Sequence, residues 1–190
     1  MEYYELFQSR KVENPVRIYG PGIQRYHDAV RETGFEALDE VKMAFFSGQE
    51  SEELCDVLTE PVFLVSEALK MVMELYDREI RFKALQLIPE KAVSGGLQRD
   101  GGTSSAGRCP LYRVPLFAEV DCLHPDSVIR ENGTVERLVL DGSRTGDRQI
   151  FRIGGLKEYR VAVSLPVAES ILRRMLCGTG IRKLEVRGEV

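Results

Sequence analysis

The stretch Pro61–Pro89, PVFLVSEALKMVMELYDREIRFKALQLIP, constrains this chain more than any other. An apolar run (Val62, Phe63, Leu64, Val65) meets Ser66, a helical pattern follows, and a second apolar run (Phe82, Leu85, Leu87, Ile88) closes it. That order predicts strand, helix, strand. The C-terminal end does the same: Tyr159–Val163, then Ser164, a helical pattern to Cys177, then Ile181–Val186. Both copies place Val-Ser at the strand-to-helix joint (Val65-Ser66, Val163-Ser164) and Ile-Arg at the closing strand (Ile80-Arg81, Ile181-Arg182).

Ser66 and Ser164 are good N-cap residues, because a serine oxygen accepts from the free N–H groups of the first turn. In the first helix Leu69, Val72, Met73 and Tyr76 recur at i, i+3, i+4 and i+7, which makes one apolar face. Ala68, Met71 and Leu75 widen that face and predict a helix covered on more than one side. In the second helix Pro166 falls inside the first turn, where its missing N–H is harmless. Val167, Ile171, Leu172, Met175 and Leu176 form its apolar face, Arg173 and Arg174 suit the C-terminal dipole, and Gly178 is a candidate stop.

Elsewhere β-propensity predicts strands at Tyr3–Phe7, Val16–Tyr19 and Val41–Phe46, with Gln24–Glu40 ambiguous and 48–60 irregular. The second half reads as a meander. Leu111–Val120 is a strand whose Pro115 points to an edge or bulge. Val128–Arg130 and Val135–Leu140 flank Asn132-Gly133, the pair favoured in a two-residue type I′ hairpin. Strands at Gln149–Ile153 and Lys157–Val163 follow, and Arg182–Val186 ends the chain. Ser94–Arg108, with five glycines and three serines, predicts a flexible surface loop. It lacks the strand, helix and lysine that a phosphate-binding loop needs. The fold class expected is α+β: mostly antiparallel sheet with two main helices, each following a strand that ends in Val-Ser. A single domain over 1–190 is expected, with a less regular acidic part (1–60) and an α+β core (61–190).

Composition excludes some functions. No apolar run approaches the ~18 residues that span a bilayer, and the acidic start MEYYEL does not suit a signal peptide, so a cytoplasmic protein is expected. The four cysteines form no CxxC pair and only two histidines are present, which leaves packing as the default role and no metal or other cofactor implied. Net charge is −4, but residues 1–60 hold 13 acids against 6 bases, leaving 17 acids and 20 bases for the remainder. That balance, with no Trp and no aromatic RNA-binding motif, gives a weak nucleic-acid footprint.

The densest reactive cluster is Asp121-Cys122-Leu123-His124-Pro125-Asp126. In an extended chain Cys122 and His124 share a face, so a nucleophile with its base, or half of a metal site, is one alternative. The other is a core cysteine beside a histidine that opens a turn. No GxSxG motif and no spaced acid/base pair singles out an enzyme.

The pieces MEYYEL, CDVLTEPVFLVSEALKMVMEL, PLFAEVDCL and IFRIGG…YRVAVSLPVAESILRRMLCGTGIRKLEV together resemble a family of bacterial polymorphic-toxin immunity proteins, immunity family eleven. In that family a strand ending in Val-Ser leads a helix, and a Thr-Gly-Ile-like turn (here Thr179-Gly180-Ile181) leads the last strand. The resemblance covers about residues 1–20 and 54–187. Ser94–Arg108 is longer than the family's loop at that place, and His124 stands outside its pattern. The resemblance implies a cytosolic, non-enzymatic protein that neutralises a cognate toxin by direct association. Many toxins are basic, so the acidic stretch is the candidate contact: Glu36, Asp39, Glu40, Glu50, Glu52, Glu53 and Asp56. A homo-oligomeric module joined through exposed strand edges is a further alternative.

Overall fold

The computed structural model describes residues 1–12, 15–30, 34–47, 53–90 and 109–188. The Gly-rich stretch 94–108 lies outside them. One sheet has six strands in the order β2 (Ile18–Tyr19), β3 (Val41–Phe46), β6 (Arg81–Pro89), β7 (Leu111–Leu116), β5 (Leu64–Ser66) and β4 (Val57–Leu58). The other has five: β14 (Thr179–Lys183), β1 (Tyr3–Gln8), β13 (Val161–Ser164), β12 (Ile150–Ile153) and β8 (Glu119–Val120). Two further pairs are β9 (Val128–Ile129) with β10 (Val135–Arg137), and β11 (Val139–Asp141) with β15 (Glu185–Arg187). The helices are α1 (Ile23–Ala29), α2 (Glu67–Tyr76), α3 (Gly142–Thr145) and α4 (Leu165–Arg173), with a 3₁₀ turn at Phe35–Ala37. Among the named strands parallel pairing is confined to β3–β6, β8–β12 and β11–β15, with one isolated parallel bridge at Pro15–Glu53, so the protein is α+β and mostly antiparallel.

The two strand–helix–strand stretches are one unit built twice. In each, the strands before and after the helix are parallel and a third, antiparallel strand lies between them. That strand is β7 in the first unit and β1, from the far end of the chain, in the second. The match extends to single hydrogen bonds. Ser66 N–H donates to Asp56 O at 2.9 Å, and Ser164 N–H donates to Gln149 O at 2.8 Å. The Ser66 hydroxyl donates to Asp56 Oδ1, and that of Ser164 to Gln149 Oε1 at 2.6 Å. Ser66 lies opposite Tyr112 and Ser164 opposite Tyr3. Those buried tyrosines donate to the carbonyls of Cys55 (2.7 Å) and Arg148 (2.9 Å), each one residue before the serine's partner. The outer strands match as well: β3 runs parallel beside β6 as β11 does beside β15.

This register corrects one sequence correspondence. Phe82 pairs three residues beyond Tyr112, at Pro115, and Ile181 pairs three beyond Tyr3, at Leu6. Ile181-Arg182 therefore matches Phe82-Lys83, not Ile80-Arg81. The turn after α4 is one residue longer than that after α2, which shifts the strand relative to the helix.

α2 and α4 lie against each other, with Tyr76 Oη donating to Pro166 O at 3.1 Å. Leu69, Val72 and Met73 of α2 and Val167, Ala168 and Ile171 of α4 share one core with Val65, Val163, Leu6 and Phe63. Each unit also fills a second core on the other side of its sheet, with Leu85, Leu87 and Tyr112 in one and Leu184, Val186 and Tyr3 in the other. Burying each such side chain contributes ~1.5–3 kcal/mol.

Several expectations change. Met71 and Leu75 are exposed, as are Leu172 and Met175, so each helix is covered on one side only. Ser66 caps α2 through Leu69 N–H (3.2 Å), but Ser164 makes no side-chain cap; its hydroxyl donates to Gln149 Oε1. α4 ends at Arg173, before Gly178, with Met175 at φ 48°. The hairpin is not a two-residue type I′ turn. Gly133 N–H donates to Arg130 O (2.8 Å) and Arg130 N–H to Thr134 O (2.9 Å), enclosing a three-residue loop with only Gly133 at positive φ. Pro115 is tolerated because β5 pairs only with Arg113 and Tyr112, leaving β7 a local edge there. The second half is not a simple meander, since β1 enters between β13 and β14.

Candidate interaction face

The row Val65–Arg113–Ala84–Val41 crosses the helix side of the six-stranded sheet. α2 covers its Val65 end and leaves the β3 end open. Beyond the helix, Tyr19, Val41, Met43, Phe45, Ile88 and Leu111 share that open face by register, and the Tyr19 and Phe45 rings lie 6.1 Å apart. Val41 is 61% exposed and Met43 62%. Alternation in VKMAFF is what aims Val41, Met43 and Phe45 to one side while Ala44 and Phe46 enter the core.

The second unit provides an internal comparison. Its residues at the places of Val41, Phe45, Ile88 and Leu111 are Arg137, Asp141, Arg187 and Glu2, and Glu185 replaces Gln86. They form ion pairs: Arg137 with Glu185 (2.8 Å), Arg187 with Glu185 and Asp126, and Lys183 with Glu2. Hydrogen bonds from Lys183 and Arg137 hold the Glu2 and Glu185 carboxyls below the usual carboxylate range. Val139, in the place of Met43, is apolar but buried. The same surface is thus charged and self-paired in one unit, and apolar in the other.

Acids border the apolar face. On this face Glu67 binds Arg113 Nε (2.8 Å) and Lys70 bridges Glu67 and Glu74, while Glu36 pairs with Arg81 and Glu40 with Lys83 on the opposite face, beside Phe35. In the pairs on this face the base is the more buried partner: Lys70 is 18% exposed against 46% for Glu67. Solvent therefore meets carboxylate more than ammonium. Burial alone would raise Glu67, but the hydrogen bonds from Arg113 and Lys70 prevail and lower it.

The acidic residues singled out by sequence fall into two groups. Glu36, Asp39 and Glu40 precede β3, with Glu36 and Glu40 paired to Arg81 and Lys83 on the face opposite the apolar one and Asp39 O accepting from Tyr26 Oη at 3.0 Å. Glu53 and Asp56 lie beside β4 at the far edge of the sheet, where Asp56 is engaged by Ser66 and by Cys177 N–H (2.6 Å). Glu50 and Glu52 are outside the described residues. Sequence reasoning missed the apolar face itself. Its one signal was alternation in VKMAFF with apolar residues on both sides.

Cys122 and His124 have separate surroundings. Cys122 is buried, and burial followed by the charges of Asp121 and Asp141 pushes its thiol up to about 11. His124 Nδ1 accepts from Asp126 N–H at 3.1 Å, opening the turn. No group of three or more metal-ligating side chains occurs among the described residues. A cleft of about 690 Å³ is lined by Glu5, Arg160, Arg182, Phe7, Thr59 and Glu60 among others. Its central carboxylate, Glu5, is buried between Arg182 and Arg160 (3.5 Å), and Arg160 also pairs with Glu158 (2.5 Å). No helix among the described residues is long and apolar enough to cross a membrane. Searches against family models and against curated proteins found no match for the chain.

Proposed function

We propose that this protein works by stoichiometric association with another protein, as an immunity protein that neutralises a cognate toxin. The observation that carries the reading is the apolar face of Tyr19, Val41, Met43, Phe45, Ile88 and Leu111, at a position where the companion unit has ion pairs. Exposed contiguous apolar surface lowers solubility and marks interaction sites. Ion-paired side chains fit this position equally well, as the second unit demonstrates, so the fold does not require the apolar ones. The partner fitting this face has an apolar patch edged by lysines or arginines that face Glu67 and Glu74. Occlusion of such a partner needs no cofactor and no catalytic group.

The test transplants the second unit's surface onto the first: Val41→Arg with Phe45→Asp and Ile88→Arg. Wild type and variant are each co-expressed in bacteria with the product of the adjacent gene, and growth is scored. Growth protected by wild type and lost with a folded variant supports both the function and the face. Equal protection by both removes the face as the contact. Failure of the wild type to protect removes the immunity reading for that partner. Sedimentation is the second measurement: a wild-type dimer that the variant abolishes assigns the face to a second copy of this chain.

A further inference from the structure

Cys55 and Cys177 come from different units. Cys55 precedes β4, and Cys177 lies in the turn between α4 and β14. The main chain clamps them together: Asp56 N–H donates to Cys177 O at 2.7 Å and Cys177 N–H to Asp56 Oδ2 at 2.6 Å. The next residue, Gly178, leaves no room for a side chain, since a Cβ there would lie 2.4 Å from Cys55 Sγ. Each thiol shifts the other's titration, so the two side chains are neighbours. Both also reach Glu53, Cys55 Sγ at 3.9 Å from its carbonyl oxygen and Cys177 Sγ at 4.0 Å from Oε2. Cys55 is buried and Cys177 exposed. The architecture does not call for sulfur here, because Arg148 stands in the place of Cys55, and the turn of Cys177 corresponds to Arg78-Glu79.

We propose that Cys55 and Cys177 are a reversible disulfide site, closed by exchange with a small aliphatic disulfide such as oxidised glutathione. The exposed Cys177 thiolate attacks one sulfur of the incoming disulfide, and one glutathione thiolate leaves. Cys55 then loses its proton and attacks Cys177 Sγ of the mixed disulfide, expelling the second glutathione. The protons of both cysteines end on the two glutathione thiols, so two protein thiols are oxidised and one disulfide is reduced. Access fixes the order of attack, because an incoming molecule meets Cys177 and not Cys55. Burial, then the charges around it, pushes Cys55 up to about 11, and burial with Glu53 and Asp56 raises Cys177. Closure is therefore slow at neutral pH and accelerates by about tenfold per pH unit below the thiol pKa. The bond joins the edge of one unit to the helix–strand turn of the other. By shortening the unfolded chain over residues 55–177 it raises the melting temperature by about 10 °C.

The intact protein is equilibrated in glutathione buffers of increasing oxidised fraction, and followed by mass, peptide mapping and thermal melting. The expected product joins Cys55 to Cys177 with the loss of two hydrogens and carries no glutathione at either of them, with the raised melting temperature and a rate that climbs with pH. Cys177→Ser should leave Cys55 unmodified under the same conditions, and Cys109→Ser should change nothing. A glutathione adduct that persists on Cys177, or a closed bond that leaves the melting temperature unmoved, would overturn the proposal. So would oxidation that links Cys109 or Cys122 instead.

Discussion

Replacing each joint serine by alanine separates what the two units share from what they do not. Ser66→Ala removes two interactions: the cap accepted from Leu69 N–H and the bond donated to the Asp56 carboxylate. The cap is worth ~1 kcal/mol. A bond to a charged acceptor is worth ~1.5–3 kcal/mol, and the half-buried joint puts it at the lower end. Ser164→Ala removes only the neutral bond to Gln149, worth ~1 kcal/mol. Ser66→Ala should therefore cost about 2–3 kcal/mol and Ser164→Ala about 1 kcal/mol. Urea unfolding measures both, provided the slope m stays at the wild-type value. In thermal unfolding the same difference is about 2–4 °C per kcal/mol for a chain of this size. Equal costs, or a larger one at Ser164, would refute the assignment of a cap and a charge-assisted bond to Ser66 alone. Neither substitution touches the apolar face, so partner binding by the folded fraction should be unchanged.

Gly178→Ala should cost about 3 kcal/mol in the same assay, since alanine meets both a φ of 66° and the Cys55 sulfur. Stability should also fall with alkali. Burial pushes Cys55 and Cys122 up to about 11 from an ordinary 9, so the folded state keeps protons that the unfolded chain releases. Their contribution is complete below pH ~9 and lost as pH rises to ~11, and Cys122→Ala should make that decline shallower. Val41→Arg should change stability by less than about 0.5 kcal/mol, because the side chain is mostly in water and Arg137 already occupies the matching place. Calorimetry checks the last two, the alkaline series at fixed ionic strength.

Much of the fold was legible because its signals are local. Val-Ser followed by 3.6-residue periodicity located both helices to within a residue or two of their starts, and VKMAFF and YYELF gave strands where β-branched and aromatic residues cluster. The errors came where distant partners decide. Ser164 looked like a cap, but its side chain accepts no helix N–H and donates to Gln149 instead. Met71, Leu75 and Leu172 looked covered because periodicity counts apolar side chains without showing what packs on them. The acidic run Glu36–Glu40 was visible as charge, although register sets Glu36 and Glu40 on the face opposite the candidate site. The apolar face was not, because its six residues come from four separate strands.

The sequence by itself determined that two strand–helix–strand units exist, where their helices begin and which side chains alternate. Caps, period and β-propensity act over a few residues, so they can be read without a partner. Only the tertiary structure decided that β1 and β7 fill the same slot, which correction in register relates Ile181 to Phe82, and that one unit's outer face is ion-paired while the other's is bare. It also brought Cys55 against Cys177. Those are consequences of strand pairing between residues far apart in the chain, where register, and not local preference, chooses the neighbour.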